Sequence, residues 1–243
     1  MILTELIQRS PIRIFEQSIN GGLKAGEIGI IASPNGVGKT SVLVQLALDK
    51  LLQGKRVIHV SFTPNQRFEH IHYVQLWYED IFNEFINKKN LENAAEIKND
   101  LVKNRVQMNF SQDGVTKNQI LKSLRAMIIE GGFKADSIII DGFDFTRMDK
   151  DSLSGVKTFA TELGVSVWYS CSVKDELPSV TEQYDKENIP VVLGDYVDLL
   201  DVVIVLQPKS DHVELSISKD RGSIISKSVS MKLDPKTLLI LEA

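Results

Sequence analysis

The chain has one cysteine, Cys171, among 243 residues, so it can close no internal disulfide and build no cysteine-cluster metal site. Its neighbours Tyr169, Ser170 and Ser172 make it read as a small strand residue, and nothing in the sequence supplies the base that a catalytic thiol needs. Long apolar runs are also missing, which argues against a transmembrane helix and a membrane partner. The start, Met1-Ile2-Leu3-Thr4-Glu5, lacks the basic lead and apolar stretch of a secretory signal, so a cytoplasmic location is expected. Positive charge is not in excess either. A net charge of −4 gives no general attraction to nucleic acid, although it leaves room for a local basic patch. What is present is ordinary for a globular chain: 43% hydrophobic and 25% charged residues. The length suits one α/β domain spanning residues 1–243.

Strand and helix patterns alternate in the way that produces a mainly parallel sheet flanked by helices. Residues 27–32 read as a buried strand, and residues 40–52 as a helix with Val42, Leu43, Leu46, Ala47 and Leu51 on its apolar face, ended by Gly54. Residues 57–62 form the next strand. After Pro64, the aromatic stretch holding Phe68, Ile71, Trp77, Ile81 and Phe85 reads as a core-packing helix in preference to a platform for stacked bases. A charged stretch, 87–104, and a helix over 115–130 follow, the latter stopped by Gly131.

Between the first strand and the first long helix lies Ser33-Pro34-Asn35-Gly36-Val37-Gly38-Lys39-Thr40, followed by Ser41. A turn of this kind ahead of a helix N-terminus aims backbone N–H groups at one point, where the positive end of the helix dipole also lies. It reads as a phosphate-binding loop. Lys39 would add a full charge against the β- and γ-phosphates, and Thr40 a hydroxyl for magnesium. Ser33 stands where the pattern usually begins with glycine. The strand Ser137-Ile138-Ile139-Ile140-Asp141 ends in a carboxylate at the C-terminal edge of the sheet, where it would hold that magnesium. Asp144 is read as a cap for the segment before Asp149 in preference to a second ligand.

Towards the C-terminus, residues 212–218 and 227–233 alternate as the two strands of an antiparallel hairpin. Lys219, Asp220, Arg221 and Gly222 would then begin an exposed connection, with two cations free to point at a partner.

These segments together resemble the RecA-like P-loop ATPases, nearest to the branches of the clock ATPase KaiC and the replicative helicase DnaB. Gly21-Gly22-Leu23-Lys24-Ala25-Gly26-Glu27, preceded by Ile14-Phe15-Glu16, is similar to the lead-in of that group. Residues 194–204 resemble its late short helix and strand, and the Lys219-Asp220-Arg221-Gly222 turn resembles the one through which a ring member reaches its neighbour's nucleotide. The resemblance implies a RecA-like fold, ATP with magnesium as ligand, and a homo-oligomer, ring or filament, in which Lys219 and Arg221 join Lys39 in catalysis. On that reading, Arg221→Ala spares the nucleotide affinity of a monomer and weakens ATP-dependent assembly.

The departures from the family pattern point to a weak enzyme. Thr63 stands where a glutamate positions the attacking water, and threonine cannot act as a carboxylate base. Glu69 is a displaced candidate, and Ser170 or Ser172 a short substitute for the usual polar sensor. The stretch 174–188 carries five acidic residues against two lysines where related recombinases and helicases touch DNA, which disfavours the alternative of a DNA-dependent motor. Slow or absent hydrolysis is expected.

Overall fold

The computed structural model describes residues 11–63, 71–89, 94–173 and 183–242. Helix α1 (Pro11–Ser18) leads into β1 (Ile28–Ser33), α2 (Lys39–Leu52), β2 (Val57–Thr63), α3 (Ile71–Lys89), α4 (Ala94–Lys103) and β3 (Arg105–Ser111). Helix α5 (Lys117–Arg125), β4 (Ser137–Asp141), α6 (Lys150–Leu163) and β5 (Ser166–Ser172) follow, and a 3-10 segment, Val191–Leu199, then leads to β6 (Val202–Pro208), β7 (Val213–Asp220), β8 (Ser223–Leu233) and β9 (Ile240–Glu242).

The nine strands form one sheet in the order β3-β2-β4-β5-β1-β6-β7-β8-β9. The pairs from β3 through β6 are parallel, whereas β6 to β9 is an antiparallel meander. The expectation of an α/β fold with a mainly parallel sheet and a C-terminal antiparallel hairpin therefore holds. Helices cover both faces, which is why β1 and most of β4 are buried along their whole length. One core joins α1, α2 and α3 to Val57, Ile139 and Trp168. The other joins α5 and α6 to Ile58, Val60, Ile138 and Ile140. Successive strand residues thus serve opposite layers, as the pleat requires. Among the described residues no helix is long and apolar enough to cross a membrane.

Local signals explain most boundaries. Asp149 caps α6, its carboxylate accepting from Ser152 N, and Gly164 ends the helix in the left-handed region. Thr116 and Gln119 form a capping box that starts α5 at Lys117, later than the 115 read from periodicity. The same helix gives way to a π turn over Ala126–Glu130.

Helix α1 is tied to α2 by a buried charge cluster. Arg13 donates to Asp49 Oδ2 at 2.5 Å and to Glu16 at 3.1 Å, Lys50 meets Glu16 at 2.6 Å, and Gln53 donates to Asp49 at 2.7 Å. Burial outweighs the nearby guanidinium and pushes the Asp49 carboxyl up to about 6. Because that folded value exceeds the unfolded one, the folded chain holds more protons between the two. Stability from this group is therefore gained as pH falls from about 7 towards 4. Chemical denaturation of wild type and Asp49→Asn at several pH values should show the wild type gaining on the variant as pH falls; a pH-independent difference would contradict the assignment.

Candidate phosphate-binding site

Strand β5 lies between β1 and β4, so the loop leaving β1 and the carboxylate ending β4 meet across the end of β5. The resulting cleft has a volume of about 460 Å³ and is lined from the loop by Asn35, Gly36, Gly38, Lys39 and Thr40, and from β4 and β5 by Asp141, Ser170 and Ser172. A larger cleft of about 650 Å³ between α5 and α6 has neither a glycine turn nor a lysine in its lining.

Ser33 continues β1, pairing opposite Ser172, and is fully buried with its hydroxyl donating to Pro34 O at 2.8 Å. The missing first glycine is therefore accommodated as one more strand residue. Gly36 and Gly38 then take positive φ values of 75° and 114°. At Gly38 any other residue would be strained by the positive φ, and an added Cβ would also push against the Leu233 side chain. Gly38 caps α2 without any side-chain hydrogen bond. The amides of Asn35, Gly36, Val37 and Gly38 make no backbone hydrogen bond among the described residues, so donors gather at the positive end of a 14-residue helix.

The Lys39 ammonium is drawn inside the loop, donating to Pro34 O at 2.8 Å and Ser33 O at 3.0 Å. Thr40 Oγ1 donates to Asp141 Oδ2 at 2.8 Å, a contact between residues 101 apart in the chain. Gly142 follows with φ 81° and donates its N–H to Ser170 Oγ at 2.8 Å, which fixes the strand end that carries Asp141. Ser172 lines the cleft beside it. Ser41 is turned away from the expected ligand role: its hydroxyl donates to Leu238 O at 2.5 Å, and Gln45 donates to the same carbonyl at 2.9 Å. Asp144 caps the short turn Phe145–Arg147, accepting from Thr146 N at 3.0 Å, as its spacing suggested. Burial pushes the Cys171 thiol up to about 12, which leaves it inert.

Lys219 and Arg221 are not the free, exposed cations expected from the hairpin. Lys219 is 7% exposed, and its ammonium donates to Val197 O and, at 2.6 Å, to Leu200 O. Burial lowers its pKa. Arg221 forms a forked pair with Glu27 at 3.0 Å on both arms and also donates to Ile19 O, Gly22 O and the Asp220 carboxylate. The hairpin is longer than its alternation suggested, pairing as far as Asp220 and Ser223, so Lys219 is buried in the strand and Arg221, half-buried in the turn, is held by the chain's own groups.

Sequence reasoning did not place Ser61, Tyr73 or Trp77 in the cleft. Tyr73 and Trp77, four apart on α3, line the cleft together with Val74, while Tyr78, Ile81 and Phe82 of the same helix enter the core, against which Trp77 also packs. The helical spacing of the two aromatics was the available signal. Ser61 reaches the cleft floor from β2, in register with Asp141. Thr63 ends β2 opposite Ser111. Glu69, Phe68 and most of the acidic stretch 174–188 lie outside the described residues. No protein-family model matches this chain, and no curated protein matches it.

Proposed function

We propose that the chain binds a nucleoside triphosphate with magnesium in the manner of a RecA-like ATPase domain, with ATP as the nucleotide that this resemblance implies. The observation that carries the reading is the hydrogen bond from Thr40 to Asp141 at 2.8 Å beside loop amides that make no backbone hydrogen bond among the described residues. It brings a hydroxyl and a carboxylate, the two protein oxygens a phosphate-bound magnesium needs, to one edge of the cleft. Strand order supports the RecA-like part, because β5 intervenes between the strand that delivers the loop and the strand that delivers the carboxylate.

On this reading the amides of residues 35–38 and Lys39 hold the β- and γ-phosphates, and Thr40 with Asp141 holds the metal. Among the described residues no three His, Cys, Asp or Glu gather to bind a metal by themselves, which suits an ion that takes its other ligands from phosphate and water. Magnesium, when bound, would screen phosphate charge and polarise the terminal phosphoryl group. Lys39 already sits at the centre of the loop, and exchanging two carbonyl acceptors for charged phosphate oxygens strengthens each of its hydrogen bonds.

One chain suffices for binding. Assembly into a ring or filament would bring Lys219 and Arg221 to a neighbour's nucleotide only by breaking their contacts to Val197, Leu200 and Glu27. No observation among the described residues favours the DNA-dependent alternative. With Thr63 in place of a carboxylate base, hydrolysis is slow. Phosphate release from magnesium-ATP, measured over a wide range of protein concentration with Lys39→Ala as the blank, should be slow and constant per subunit. A rate per subunit that rises with concentration would instead mean a site completed by a neighbour.

A further inference from the structure

Three buried polar atoms on β2 and β3 have no hydrogen-bond partner among the described residues: Ser61 Oγ, Asn109 Oδ1 and His59 Nε2. Their positions are related. Ser61 pairs in register with Asp141 of β4 on one side and Asn109 of β3 on the other, and His59 lies two residues before Ser61 on the same face of β2. All three therefore belong to the α3 side of the sheet, under the wall of the phosphate cleft to which Ser61 contributes.

Leaving three such atoms unsatisfied would cost about 1–3 kcal/mol each, a large share of a domain's stability, so the site calls for a polar occupant. The chemistry of the atoms selects it. A hydroxyl, an amide oxygen and an imidazole nitrogen together offer donors and acceptors without formal charge, which suits water. Tyr78 holds the other ring nitrogen of His59 at 3.1 Å and fixes the ring. Burial pushes His59 down to about 4, so the ring stays neutral near pH 7 and can exchange a hydrogen bond with water.

We propose that Ser61, Asn109 and His59 form a buried water site opening on the cleft beside Asp141, and that this site supplies and orients the water that attacks the terminal phosphate. This rests on the nucleotide reading above. It gives the chain a way to position that water although Thr63 replaces the usual carboxylate. In the step, the water oxygen bonds to phosphorus as the bond to the bridging oxygen breaks, and the water's proton passes to an oxygen of the released phosphate. No other reactant is needed. The three side chains are positioning residues, and the absence of a base among them accords with slow turnover.

The test combines a crystal structure of the nucleotide-free wild type with kinetics of Ser61→Ala and Ser61→Thr. Ordered water should lie within hydrogen-bond reach of Ser61 and at least one of Asn109 and His59. Ser61→Ala should lower kcat about a hundredfold at unchanged KM and unchanged magnesium-ATP affinity, whereas Ser61→Thr, which keeps the hydroxyl, should stay near wild type. A dry site, or Ser61→Ala turning over like wild type, overturns the proposal. Calorimetry separates the remaining failures. A wild type that binds magnesium-ATP but releases no phosphate sinks the water assignment alone, and one that does not bind sinks the nucleotide reading with it.

Discussion

Arg221→Ala is expected to lower the melting temperature by about 10 °C, corresponding to about 3 kcal/mol for a chain of this length. The guanidinium serves two carboxylates, Glu27 and Asp220, and the carbonyls of Ile19 and Gly22, with the three charged side chains 24%, 16% and 7% exposed. Removing it leaves two like charges close together and two carbonyls without a donor, in a place where water only partly replaces them. It also unpins the chain between α1 and β1 from the β7–β8 turn, where Arg221 holds a positive φ of 54°. Arg221→Lys keeps the charge but not the fork, and should fall between wild type and alanine. Thermal denaturation of the three proteins checks the order. An alanine variant that melts with wild type yet no longer assembles with ATP would return Arg221 to the intersubunit role that its sequence context suggests.

Lys39→Ala should weaken magnesium-ATP binding about a hundredfold, or about 2.7 kcal/mol, with little effect on the fold. In the nucleotide-free chain Lys39 donates to the carbonyls of Ser33 and Pro34 and to the Ser33 hydroxyl, groups that water entering the cleft can serve once the ammonium is gone. With nucleotide, the same ammonium faces doubly charged phosphate, and no other cation lies among the described residues that line the cleft. The loss therefore falls on binding and spares stability, the reverse of Arg221→Ala. The contrast between the two variants separates a site lysine from a structural arginine.

The two residues also mark where the sequence could be read and where it could not. The loop, Lys39, Thr40 and the strand ending in Asp141 were legible because each depends on local pattern: glycines before a helix, an apolar run ending in a carboxylate. The meeting of Thr40 and Asp141 followed once strands and helices alternated. The tying-down of Lys219 and Arg221 did not follow, because their partners Val197, Leu200 and Glu27 lie 22, 19 and 194 residues away, and strand alternation is silent about them. Bulges in the β7–β8 ladder further disguised the length of the hairpin. Ser61 escaped notice for a different reason. One serine in a strand carries no pattern, and its meaning came from the register that sets it between Asp141 and Asn109. Trp77 was read as a core-packing residue and does pack against the core, but periodicity did not show that it also faces the cleft with Tyr73.

Isothermal titration of ATP into the wild-type chain, with and without magnesium and alongside Lys39→Ala, tests the central claim most directly. Saturable binding at one site per chain, strengthened by magnesium and weakened about a hundredfold by Lys39→Ala, is the predicted result. No binding by a folded wild type, or binding that ignores both magnesium and Lys39, would contradict the assignment of this cleft to a nucleotide.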